Sequence, residues 1–173
     1  MPHALAALAP LVARSGAGDH ALGLAEEAIV AARDLQSGPV LAMALTRAAE
    51  TAVLAGQLRR AAAILVELLG LLADLAAQRW VADALELAAL VSEGESRAEP
   101  ASELLGAAEA LREATGEGGG GVRVIAGAVL DARRRLAGAL GGDRFAQHQA
   151  RGRALSRERA IAEALVDLTG RAV

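Results

Sequence analysis

The chain has 173 residues, 54% of them hydrophobic and 1% aromatic, with a net charge of −3. The length suits one ordinary domain, and the composition is too apolar for disorder and too poor in β-branched and aromatic side chains for a sheet protein. Cysteine and lysine are absent, which excludes disulfides, thiolate metal sites, cysteine nucleophiles and a Walker lysine.

In chain order, residues 1–13 form an alanine-rich helical stretch with almost no polar face and no positive segment before the apolar run. A secretory signal is therefore not expected, and the chain reads as cytoplasmic. Pro10 falls inside this stretch, which predicts a kinked helix or a late start. An apolar helix so exposed is expected to be covered, by self-association or by upstream domains.

Next come a turn at Gly16 and a second helical stretch carrying Glu26 and Glu27. Adjacent helical residues diverge, so these two acids read as a solvated face rather than a catalytic pair. Ser37, Gly38 and Pro39 end one helix and open another. The most apolar segment, residues 61–77, is interrupted by Glu67 and Asp74, which favours a buried amphipathic helix over a membrane span. Trp80 reads as a core anchor at a helix start, or as a partner-binding hot spot. Ser96 and Glu99 have capping-box spacing, with Pro100 in the first turn.

The run 116–121 (GEGGGG) matches G-x-G-x-x-G in form. It follows a helix and no strand precedes it, so a flexible linker is the expectation and no cofactor is implied. Residues 1–121 carry 8 Arg against 16 acids, whereas residues 122–173 carry 10 Arg against 5 acids. The basic tail is expected to pack beside the acidic body. His3, His20 and His148 share no ligand spacing and read as surface residues, with no metal expected.

An offset of 40 residues aligns the first two thirds of the chain with itself. Ala4, Ala44 and Ala84 coincide, as do Leu5, Leu45 and Leu85; Ala9, Ala49 and Ala89; Ala21, Ala61 and Ala101; and Leu24, Ile64 and Leu104. The turn position reads Gly16, Gly56 and Ser96. Each unit has two stretches of helical period separated by a breaker, which predicts stacked antiparallel hairpins. Small alanines on the recurring face let axes approach to the near end of the roughly 8–10 Å range.

The spacing Leu45–Ala48–Ala49–Ala52–Ala61–Leu65–Leu68 resembles the tetratricopeptide (TPR) pattern of large and small residues across a helix pair. The period here is 40 rather than about 34 residues, and Leu or Ala replaces the usual aromatics. Longer, aromatic-poor repeats of this kind are similar to those of LuxR/MalT-type ATPase-containing actinobacterial transcriptional regulators. Segments 104–112 (LLGAAEALR), 136–145 (LAGALGGDRF) and 152–165 (GRALSRERAIAEAL) resemble the region closing their repeat array. Gln149 departs from that pattern, which often has Trp there. Nothing resembles the nucleotide-binding or helix-turn-helix modules of those regulators.

The resemblance implies an all-α fold: a right-handed solenoid of three TPR-like helix-hairpin repeats of about 40 residues. Residues 1–116 hold the repeats, 117–121 the Gly-rich linker, and 122–173 basic capping helices that pack on the last repeat. It implies a non-enzymatic interaction or sensor module that binds a protein, a peptide or a small effector. First helices line the concave face of such a stack, which makes Met43, Arg47, Glu50, Asp83, Glu86 and Leu87 the candidate partner contacts. No nucleophile, base and orienting group can be assembled, so no enzyme is expected. The alternative is a DNA- or RNA-associated regulator using Arg133, Arg134, Arg135 and the later arginines. Nucleic acid is the less favoured partner because no aromatics are interleaved with them.

Overall fold

The computed structural model describes residues 2–75, 78–116 and 124–170, leaving out the side chains of residues 78 and 79. The Gly-rich segment 117–121 lies outside the described residues. All regular structure among those described is helical: α1 (Pro2–Arg14), α2 (Gly18–Asp34), α3 (Gly38–Leu54), α4 (Leu58–Ala73), α5 (Gln78–Gly94), α6 (Ala98–Ala114), α7 (Ala126–Leu140), α8 (Gly142–Arg153) and α9 (Arg157–Thr169).

The turns explain the spacing. Gly16, Gln36, Gly56, Ser96 and Gly116 all have left-handed backbone angles, with φ of 90°, 47°, 71°, 63° and 69°. Each donates its N–H to the carbonyl three residues earlier. At Gly56 and Ser96 a second bond joins in, Gln57 N–H to the Ala52 carbonyl and Arg97 N–H to the Ser92 carbonyl, at 2.8 and 2.9 Å. That pair of bonds is a Schellman closure, which satisfies carbonyls a helix end would otherwise strand. Ser96 therefore closes α5 instead of capping α6: the N-cap of α6 is Arg97, which makes no side-chain capping bond.

Two compact units result, residues 1–76 and 77–173. The division falls between the second and third hairpins of the sequence repeat, not at the Gly-rich segment.

In the first unit, α1 turns back into α2, α3 packs on both, and α4 packs on α3. Ala9, Ala25 and Ala48 form a buried cluster against which Leu24, Ile29 and Ile64 pack. Alanine at these three places keeps three helices close enough to exclude water. Pro10 does not delay α1: the helix runs from Pro2 through it to Arg14, with Pro10 buried. Arg33 of α2 bonds Glu67 of α4 at 2.8 Å, and Arg60 of α4 bonds Glu26 of α2.

In the second unit, α5 and α6 pair as a hairpin; α8 packs on α6, α9 on both, and α7 touches α5, α6 and α8. The α6–α8 crossing depends on two glycines. A Cβ on Gly106 would lie 2.2 Å from the Gln149 carbonyl oxygen, and one on Gly152 would lie 1.8 Å from that of Glu103. Neither site has room for any other residue.

Three sets of equivalent positions on the second helices α2, α4 and α6 share their burial. Ala21, Ala61 and Ala101 are all buried, as are Ala25, Leu65 and Leu105, and Ala28, Leu68 and Ala108.

Candidate functional site

Met43, Arg47 and Glu50 fall on one face of α3, since i, i+4 and i+7 are neighbours on a helix. Met43 and Arg47 are half-buried, while Glu50 is buried and accepts from Arg47 Nη1 at 2.7 Å. Thr46 and Thr51 beside them bond the carbonyls of Ala42 and Arg47 at 2.8 and 2.7 Å. A buried carboxylate with its cation at the surface is costly to strip and holds that cation in place. This face offers a thioether and a fixed guanidinium.

In the second unit, Asp83 and Glu86 converge on Arg112 of α6. Its Nη2 lies 2.5 Å from Asp83 Oδ1 and 3.0 Å from Glu86 Oε2, and its Nε lies 3.2 Å from Glu86 Oε1. Two carboxylates thus share one largely buried guanidinium. Leu87 belongs elsewhere: at 1% exposure it is buried and cannot meet a partner at the surface. The sequence placed it with Asp83 and Glu86 among the non-core positions of its first helix, but successive helical residues point about 100° apart and Leu87 falls on the interior side. Trp80 is half-buried.

His148 is a second correction. It is buried, with Nδ1 2.7 Å from Glu103 Oε1 and Nε2 3.7 Å from Glu99 Oε1. The close α6–α8 approach at Gly106 and Gly152 turns its face of α8 inward. His3 and His20 are exposed, on α1 and on the first turn of α2. Among the described residues no group of three or more acids and histidines has metal-site geometry.

The sequence did not pick out the network that docks α9. Arg97 donates to the carboxylate of Asp167 and, at 2.8 Å, to its backbone carbonyl, while the Ser92 hydroxyl donates to the same carboxylate. Nothing in local spacing pairs residues 70 positions apart.

The basic tail meets the acids of the α5–α6 hairpin. Arg133 reaches Glu109, Arg135 forks onto Glu93, Arg144 reaches Glu99, Arg151 reaches Glu103, and Arg153 forks onto Glu113. Arg134, Arg157 and Arg159 have carboxylates of their own helices within 4 Å. The bond from Arg153 holds the Glu113 carboxyl below the usual carboxylate range. The bond to Glu93 raises the Arg135 guanidinium. These are largely solvent-exposed pairs, each worth little alone.

No helix among the described residues is long and apolar enough to cross a membrane. No protein-family model, curated protein or solved structure matches the chain.

Proposed function

We propose that this chain is a non-enzymatic, cytoplasmic helical-repeat module whose TPR-like hairpins form a right-handed solenoid and bind a protein or peptide, or a small effector. Its role would correspond to that of the repeat region in LuxR/MalT-type regulators. The observation that carries the reading is the shared burial of three sets of positions forty apart on α2, α4 and α6, with left-handed turns at the matching places. Repeated hairpins present repeated surfaces, and extended binding faces are what such stacks supply. The candidate partner contacts are Met43 and Arg47 on α3, where buried Glu50 holds Arg47, and, in the second unit taken by itself, Asp83 on α5, where buried Glu86 shares Arg112 with it.

The alternative, a DNA- or RNA-associated regulator, draws on the arginines of the tail. A carboxylate beside every one of the eight described tail arginines lowers the free positive charge available to phosphates.

Selection of displayed random peptides on the intact chain tests the leading reading. Enriched peptides are expected to bind about tenfold more weakly to Met43→Ala or Arg47→Gln chains, a loss near 1.4 kcal/mol. Failure of any peptide to enrich, or equal binding to wild-type and altered chains of unchanged helicity, would overturn it.

A further inference from the structure

The outer face of α1 stands out against the repeat. Ala4 is exposed, and Leu8 and Leu11 are 47% and 53% exposed. Forty residues on, Ala44, Ala48 and Thr51 are at most 1% exposed, and Ala84, Ala88 and Val91 of α5 are fully buried. Within the first unit the reason is visible. Ala48 lies in the cluster with Ala9 and Ala25, on the α3 face that receives the preceding hairpin. The same face of α1 thus carries two leucines where its counterpart is interior.

A charge pattern accompanies it. Arg60 and Glu67 of α4 pair with Glu26 and Arg33 of α2, each across 34 residues. Forty residues before Arg60 and Glu67 stand His20 and Glu27 on α2, both exposed. An imidazole and a carboxylate seven residues apart therefore flank the apolar face of α1, in the register that α4 uses to grip α2.

From these we propose that the α1–α2 edge is a docking surface for a helical hairpin of a partner protein. The partner's second helix presents a small apolar face and carries Glu and Arg seven residues apart, Glu toward His20 and Arg toward Glu27. A second copy of this chain does not supply that pattern. In α2 the pair is already engaged, the equivalent positions of α4 are Val66 and Ala73, and those of α6 are Gly106, covered by α8, and Glu113, bonded by Arg153. This surface is distinct from the α3 face assigned above and does not rest on it.

The test joins an extra copy of residues 1–40 ahead of Met1 of the full chain, which places an α2-type helix before α1 in register. Amide exchange across α1 is expected to slow about tenfold, with a steeper urea dependence of unfolding. Leu8→Glu with Leu11→Glu in the original α1 removes both gains; these sites are half-exposed, so the rest of the chain keeps its helicity. Arg33→Glu in the added copy also removes the protection, and Glu27→Arg in the original restores it. An added hairpin that leaves α1 exchange unchanged overturns the proposal. So does sedimentation of the unaltered chain as a dimer that Leu8→Glu dissociates, because the occupant is then a second copy.

Discussion

Gly106 and Gly152 set how near α6 and α8 come. With backbone carbonyls about 2 Å from where their Cβ atoms would lie, the helices must move apart if either glycine is replaced. Gly152→Ala is expected to cost about 3 kcal/mol in urea denaturation. Gly138→Ala on α7, with nothing within 4 Å of the new methyl, is expected to be neutral or to gain up to about 1 kcal/mol. Equal losses at the two sites would mean that the crossing is not the cause. The sequence reading assigned neither glycine a role. Local propensity registers a helical glycine only as a weakness, and a separation of 46 positions hides that both serve one crossing. Ser96 failed in the opposite way. Ser-x-x-Glu is a capping signal by spacing, but the backbone uses this serine where Gly16 and Gly56 sit in the other hairpins. The alignment at forty residues already placed it there.

Among the helices, the alternation of breakers and apolar periods was legible because every boundary has its own local chemistry. The sequence reading counted in forties; left-handed turns at 16, 36, 56, 96 and 116 show a step of twenty. Gln36 concealed the finer interval, since glutamine gives no turn signal. The docking of α9 was equally hidden, for it depends on Arg97 and Ser92 finding Asp167 across the second unit. Asp167→Ala removes the carboxylate that ties α9 to Arg97, which keeps Glu95 at 3.1 Å, and is expected to cost about 1–2 kcal/mol. Hydrogen exchange should quicken throughout α9 before the α5–α6 hairpin responds. Arg159→Ala, on an exposed side chain of the same helix, should leave α9 protected. If α9 exchanges no faster in the Asp167 variant, its apolar residues Ile161, Ala164 and Leu168 hold it without the ion pair.

For the molecule as a whole, the sign change in charge near residue 121 leads to the expectation that the basic tail packs beside acidic residues, because opposite charges attract. Within the second unit the arginines of α7 and α8 are bonded to the acids of α5 and α6. Acid should weaken the second unit through two carboxyls, Glu113 and Glu158. The carboxyl of Glu113 is lowered by Arg153, and that of Glu158 by its own backbone N–H and by Ser156. A carboxyl lowered on folding stabilises the folded state above its unfolded pKa, and the contribution is lost as pH falls through the folded value. NMR titration should therefore place the Glu113 midpoint below that of an unfolded chain. Arg153→Gln should return it to the ordinary range. A Glu113 midpoint unchanged by that substitution would show that the fork does not persist in solution.

The twenty-residue step has a consequence for how such a chain can lengthen. One added step brings the backbone out at the opposite end of its neighbours, so every later helix would run upside down and meet the wrong flank. Two added steps restore both heading and phase. Growth or loss by duplication is thereby confined to even numbers of helices, and an odd change needs a crossover segment that these three-residue turns are too short to supply.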